Sequence, residues 1–464
     1  MENNLDNNIF YYDYIIIGSG LSGLTASNQL LDYKRNHIIL TSPFSAKNLR
    51  KDKNNKFSNS VKSAVSPKLN ILKLKKEIKY WLSSYKLNRE NFNLVQVLSN
   101  SIGGLSNYWG ANLGHNYNDI IESNIKNIIE VNKADQIKDT NNIKMHSDLS
   151  EALLNLNKRK KKCILVHSPF LGIKLVNDSE SLCKKCNAYY CNCDGKILQE
   201  YKFNKKLIKE IEIQKIRTKN NIFTLSGIDK YHNEKEISCK YLIFACGPFA
   251  SAILFNKIKK IPENLTLNHN GLFSFPFISP FKIKNKPLAL SNINISIHSK
   301  RVNKGKDPEA YTNIFPLKPQ LVLRYPFLKY ISQSILDRLY YCVVYTDSSF
   351  VESKFNIKNK KVIGKYKNKF FLFSFYTYLR LILFLFINGY CLPLFIPIFS
   401  KPGSDIHYGS TLANIKLNEE WDKTIFFSDS SRIKKISSIN STIKNLIFAK
   451  KNLISWLNKH SLET

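Results

Sequence analysis

Three groups of residues in this chain have types and spacings that could carry chemistry. Gly18, Gly20 and Gly23 stand in G-x-G-x-x-G spacing within "YDYIIIGSGLSGLTASNQLL", after the apolar run Tyr14 to Ile17 and before the small residues Thr25, Ala26 and Ser27. The three glycines do different things. Gly18 makes the tight turn, Gly20 lets a pyrophosphate approach the backbone, and Gly23 lets helix and strand pack closely. The helix start, from Ser19 through Leu21 and Ser22, then offers amide donors and a favourable dipole to the phosphates. His407, in "KPGSDIHYGSTLA", lies among glycines and small hydroxyl residues. An imidazole with an unperturbed pKa near 6.5 both accepts and returns a proton at neutral pH. Cys183, Cys186, Cys191 and Cys193 crowd into "CKKCNAYYCNCDGKI". Four thiolates so spaced suit one soft metal, zinc or an iron–sulfur cluster; the other reading is reduced thiols in a covering loop.

These residues need a scaffold. A chain of 464 residues, 43% of them hydrophobic, is long enough for two domains with a sizeable core. The formal charge of +35 comes mostly from lysines scattered through an Asn- and Ile-rich chain. No arginine-aromatic groove or nucleic-acid module accompanies it, so the expected counterpart is an anionic membrane surface and not nucleic acid. The N-terminus "MENNLDNNIFYYDY" carries no basic n-region or cleavage site, which predicts that the protein begins in the cytoplasm, peripheral on the inner face of the membrane if it binds lipid. In such a reducing compartment the clustering of four of the nine cysteines favours metal over disulfides.

The glycine fingerprint follows a strand-like run and opens a helix-like one, and "NHIILTS" (36–42) supplies the next strand. Thr41 and Ser42 end that strand where an acidic residue usually holds the ribose, so no acidic ribose ligand is expected. No second fingerprint occurs, which predicts one bound dinucleotide. The stretch "SNSIGGLSNYWGANLG" (99–114) has Gly103, Gly104, Ser106 and Asn107 in a polar loop able to approach a ring or phosphate, with Tyr108 and Trp109 able to wall a pocket. "CKYLIFACGPFASAILF" (239–255) reads as a buried strand, a turn at Gly247 and a helix start. "TIFFSDSSRIKKISSINSTIKNLIFAKKNL" (424–453) reads as a strand, an acidic turn at Asp429 and a helix led by Asn440.

In this order and spacing these pieces resemble the glucose-methanol-choline (GMC) family of flavin oxidoreductases, and more closely its bacterial relatives with a G-G-x-S-x-x-W-G loop. The resemblance covers roughly residues 12–120, 180–255 and 403–455. It implies FAD as cofactor, held by Gly18, Ser19, Gly20, Leu21, Ser22 and Gly23, by Gly103, Gly104, Ser106, Asn107 and Trp109, and by Gly247 and Asp429. It implies hydride transfer from a carbinol carbon to the flavin, with His407 as proton acceptor and Asn440 orienting the substrate oxygen. The spacing from His407 to Gly409 differs by one residue from the family's, and Ser441 stands where the family has proline. Cys183, Cys186 and Cys193 match three positions of a cysteine-rich loop common among relatives.

The expected fold is α/β: a Rossmann-like FAD-binding domain, a doubly wound parallel sheet, with an α+β sheet-based substrate domain. The FAD domain takes 10–255, with a helical insertion at 115–162 and the cysteine loop at 181–197; the substrate domain takes 256–402; residues 403–464 complete the FAD domain. Residues 370–400 are apolar with one charge, Arg380, and follow lysines at 361, 365, 367 and 369. Both flanks belong to one domain and Gly389, Pro393 and Pro397 break a long helix, so a single crossing is not expected. Attachment to a membrane surface, burial in the core and a hairpin of two spans are the readings for this run. The expected function is oxidation of a CH–OH group of a small-molecule or lipid-linked alcohol such as a sugar or glycan, with electrons passing to an acceptor the sequence does not identify. Two rivals are a non-catalytic flavin-binding membrane protein and an FAD-dependent lipid desaturase or isomerase.

Overall fold

The computed structural model describes residues 10–42, 85, 112–136, 148–156, 163–171, 204–282, 293–298, 307–316, 330, 332–391, 397–404, 407–439 and 441–460. The chain opens with β1 (Phe10–Ile17), α1 (Leu21–Asp32) and β2 (His37–Thr41). Then come α2 (Tyr117–Glu122), α3 (Asp148–Leu156), β3 (Ile164–His167), β4 (Ile208–Lys219), β5 (Ile222–Asp229), β6 (Glu234–Phe244) and α4 (Pro248–Ile258). β7 (Asn264–Leu267), β8 (Leu272–Ile278), β9 (Ile293–Ile297), β10 (Ala310–Pro316), β11 (Leu339–Thr346), β12 (Val351–Asn356) and β13 (Lys361–Tyr366) follow. α5 (Asn368–Ile387), β14 (Ile398–Phe399), β15 (Ile425–Phe427) and α6 (Ser441–His460) close the chain.

The first sheet is parallel where β2, β1, β6 and β15 run side by side. Strands read as near-continuous apolar runs when both faces are covered, and "YIII" in β1 is such a run. Tyr14 and Ile16 face a layer built from α1 and α6, including Leu24, Leu30, Leu446 and Leu453. Ile15 and Ile17 face the opposite way, against Phe249, Leu254 and Phe255 of α4 and residues of β4 and β5. The wholly parallel sheet expected from the sequence is corrected here: β4 enters parallel to β2 but turns into an antiparallel meander through β5 to β6. β6 is long enough to pair with the meander early and with β1 late. The meander thus covers the α4 side of the sheet, where a doubly wound fold would use helices.

The second sheet has the order β14-β8-β11-β10-β9-β3 and is antiparallel throughout. β3 lies before residue 255 in sequence yet pairs with β9, so the second sheet begins inside the segment that the sequence reading gives to the first domain. Short and only partly buried, β3 suits its place at the edge of an antiparallel sheet. Strand alternation gives this sheet two unlike faces. Phe273, Phe275, Phe277, Ile293, Ile295 and Ile297 point to one side and pack on α3 and the inner face of α5. The other face carries His167, Asn294, Ser296, Tyr311 and Tyr345, brought level by the strand register. A third, antiparallel sheet has the order β7-β12-β13.

α5 resolves the apolar run 370–400 into a helix that ends at Asn388, with Gly389 at φ +73. A left-handed residue after the last turn is the usual glycine stop. The helix covers the second sheet with Phe370, Tyr378, Leu381, Ile382, Phe384 and Leu385, and leaves its other side open. Among the described residues it is the one helix long and apolar enough to cross a membrane. Inner and outer faces should therefore respond differently to truncation. Leu381 is 0% exposed and Leu383 52% exposed, so Leu381→Ala should cost about 3 kcal/mol and Leu383→Ala less than about 0.5 kcal/mol, read from urea unfolding midpoints.

Candidate flavin site

The glycine turn after β1 is held from three sides. Gly18 has φ +110, and its amide donates to the Leu40 carbonyl at 2.8 Å. A side chain there would meet the Ala245 carbonyl oxygen at 2.5 Å. A Cβ on Gly23 would lie 1.9 Å from the Gly18 carbonyl oxygen, so the start of α1 sits directly on the turn. Gly20 behaves differently: a Cβ there would meet nothing within 4 Å. As the N-cap of α1 it also brings no side chain to cap the first amides. Leu21 is buried in the core, so only its backbone belongs to this turn, and the Ser22 carbonyl accepts from Ser428 Oγ at 3.1 Å. Buried Ser19 donates to Thr41 Oγ1 at 2.9 Å. The hydroxyl that replaces the usual acid at the end of β2 is therefore tied to the turn itself.

A second glycine-led helix start lies beside the first, because β1 and β6 are parallel neighbours and the chain leaves both at the same end. Gly247, the N-cap of α4, has φ +86 and open space where a Cβ would be. Asp429 holds it in place. One carboxylate oxygen accepts from the Gly247 amide at 2.9 Å and from Ser251 Oγ at 2.5 Å; the other accepts from the Ser431 amide at 2.9 Å. Burial pushes its carboxyl above the ordinary carboxylate value, against the pull of these donors. Asp429 thus shapes the cradle through Gly247 and not by an open oxygen.

The segment bearing His407 is fastened to the same turn. Gly409 exchanges two backbone hydrogen bonds with Asn268, at 2.9 and 3.0 Å. Thr411 Oγ1 donates to the Pro248 carbonyl at 2.8 Å, and the Ser410 and Leu412 amides donate to the Ser430 and Ser431 carbonyls at 3.0 and 2.8 Å. His407 is half-buried, and its ring lies 6.5 Å from that of Tyr345 on β11. The structure therefore brings together Gly18 to Gly23, Gly247 and Asp429, and fastens the backbone just after His407 to the same turn. Gly103, Gly104, Ser106, Asn107, Trp109, Asn440, Cys183, Cys186, Cys191 and Cys193 lie outside the described residues. Among the described residues no group of three or more His, Cys, Asp or Glu is placed to hold a metal.

The sequence marks His115, just after the glycine-rich loop, only as a weak polar candidate; the polar cluster it joins on the second sheet is visible in the structure alone. Tyr345 pairs in register with Tyr311, and His115 Nδ1 lies 3.3 Å from Tyr311 Oη. The rings of His115 and His167 stack with centroids 3.6 Å apart, and His167 Nε2 lies 2.9 Å from Ser296 Oγ. Asn112 donates to Asn313 Oδ1 at 3.0 Å and to Asn294 Oδ1 at 3.3 Å, tying the backbone just before His115 to the sheet. Burial, with Lys444 and His298 adding, holds His115 down at about 4; burial, with His115 and His298 adding, holds His167 down at about 3. Both are neutral at physiological pH. His115 had only its place after the glycine-rich stretch to mark it, and β3 is too short to show His167 as more than an alternating strand residue.

No family model and no curated protein matches the chain. Among solved structures it is similar to one reporting the effect of a mutation on FAD modification in formate oxidase from Aspergillus oryzae RIB40. The TM-score is 0.55 at 10% identity, over 97% of this chain and 99% of that one. At that identity the match shows a shared overall fold.

Two outcomes are expected from this geometry. Gly23→Ala should lower the thermal midpoint by many degrees, since a Cβ at 1.9 Å cannot be accommodated, whereas Gly20→Ala should leave it unchanged and weaken only ligand binding. Between about 4 and the ordinary histidine value near 6.5, the folded protein binds fewer protons at His115 and His167 than the unfolded chain does. Stability should therefore fall as pH falls through that window, and His167→Gln should flatten the fall, measured as urea midpoints from pH 7 to pH 4.

Proposed function

We propose that this chain is an FAD-dependent oxidoreductase of GMC-like architecture that oxidises a CH–OH group of a sugar, a lipid-linked glycan or another alcohol. The observation that carries the reading is the pair of uncapped, glycine-led helix starts at Gly20 and Gly247, both open where a Cβ would sit, at the ends of adjacent parallel strands. Such a crevice suits a dinucleotide: the first start receives the pyrophosphate on its amides and dipole, and the second lets a flat ring approach the backbone. The fold shared with a formate oxidase whose FAD modification has been studied supports the same reading. When bound, FAD would supply a two-electron acceptor for the hydride of the carbinol carbon.

The remaining work falls to the chain's own side chains. His407 takes the hydroxyl proton as the carbon–hydrogen bond breaks, leaving a carbonyl product, and a positioned base of this kind contributes roughly 10²- to 10⁴-fold in rate. The backbone that follows it is bolted to the turn that holds Gly247, which supports this role. Asn440 has the role of orienting the substrate oxygen. His115, His167 and Tyr311 form a polar cluster one strand away from Tyr345, whose ring lies 6.5 Å from that of His407. The electrons then pass to an acceptor outside this chain.

The test is anaerobic. The purified full chain should show a flavin absorption band, and panels of sugars and lipid alcohols should include one that bleaches it. His407→Ala should slow that bleaching at least about 100-fold and leave the flavin bound. A protein without flavin refutes the assignment, and a bound flavin that no alcohol reduces refutes the oxidation.

A further inference from the structure

The outer side of α5 is a surface the proposed oxidation does not use. Leu372, Phe375, Leu379, Leu383, Phe386 and Ile387 lie along one face of the helix, with exposures from 40% at Leu379 to 78% at Leu372. From the first of these to the last the stripe is roughly 22 Å long at 1.5 Å per residue. It is continuous with β14, where Ile398 is exposed and the ring of Phe399 lies 5.1 Å from that of Phe371. A contiguous apolar surface of this kind on a protein exterior marks a place of contact.

The surroundings indicate what it contacts. Between Glu352 and Asp405 the chain has nine basic residues and no acidic one, and two of the nine, Lys358 and Lys365, pair with Glu263 and Glu352. Lys367, Lys369 and Lys401 are exposed and lie at the end of the stripe where α5 begins and β14 ends. Arg380, the one charge inside the helix, does not interrupt the stripe: its guanidinium donates to the His298 carbonyl at 2.9 Å and lies over the Tyr376 ring. A second copy seated here would bring two basic rims together, and like charges across an interface oppose association. The helix cannot cross a bilayer from this position, because Leu381 and Leu385 on its inner face already pack on the second sheet. An apolar face with a lysine rim, on a helix that lies flat on its own domain, fits the interface of an anionic bilayer.

We propose that the outer face of α5 seats this protein on an anionic lipid surface, with the helix axis parallel to the membrane. The apolar stripe enters the headgroup–acyl boundary and the lysines contact lipid phosphates. The inference rests on this surface alone and stands whether or not the flavin reading holds.

Flotation of the full chain with vesicles tests it. The protein should float with vesicles of phosphatidylglycerol and phosphatidylcholine and stay behind with phosphatidylcholine alone. Each of Lys367→Gln, Lys369→Gln and Lys401→Gln should lower partitioning about fivefold. The triple change Leu372→Glu, Phe375→Glu and Ile387→Glu should abolish flotation with the circular dichroism spectrum unchanged. Leu383→Trp gives a second reading that leaves the patch apolar: the emission it adds to the parent's should shift to the blue and be quenched by brominated lipid. A chain that never floats, a triple variant that floats like the parent, or a Leu383→Trp emission indifferent to brominated lipid overturns the proposal. So does a soluble dimer that the triple variant dissociates.

Discussion

The carboxylate of Asp429 accepts hydrogen bonds from the Gly247 amide, Ser251 Oγ and the Ser431 amide, and through them one buried group joins the start of α4 to the closing segment of the chain. The rest of the site is arranged around this clamp. Ser428, its neighbour, reaches the glycine turn of α1; Ser430 and Ser431, on its other side, hold the backbone around Gly409 and Leu412. Gly247 needs that support, since its positive φ leaves it no conformational preference of its own. A buried carboxylate with three donors is costly to form and costly to break. It therefore sets the relative position of segments more than 150 residues apart in sequence, as Asp429 and Gly247 are.

The second sheet contributes by having two faces of opposite character. The period-2 alternation of β8, β9 and β11 sends Phe and Ile to one side and Asn, Ser and Tyr to the other. One face needs a cover, which α5 provides; the other needs polar partners, which Asn112 and His115 provide. The apolar helix and the neutral histidine cluster are thus two consequences of one strand pattern. They also explain why the inner face of α5 is apolar, while its exposed apolar outer face does not follow from the sheet.

Much of the first domain was legible in the chain. The G-x-G-x-x-G spacing after an apolar run needs only local geometry, and each of its glycines occupies the strand-turn-helix place expected of it. The stop of α5 before Gly389 and the strand-turn-helix at Gly247 were equally local. Less was legible where partners are distant. The antiparallel meander of β4 to β6 and the passage of β3 into the second sheet depend on which edges lie free after the core forms, and a strand's own residues do not say which neighbour it will have.

The candidate site divides in the same way. Residue types and spacing were enough to single out Gly18, Gly20, Gly23, Gly247, Asp429 and His407, because a tight turn, a helix start and an imidazole among small residues leave marks within a few residues. Only the tertiary structure decided that Asp429 spends its oxygens on Gly247, Ser251 and Ser431, that Thr41 answers Ser19, and that His115 stacks on His167. Local order is encoded by neighbours along the chain. Hydrogen-bond partners and burial are properties of the packed whole, and they set the charge and reach of every side chain in the site.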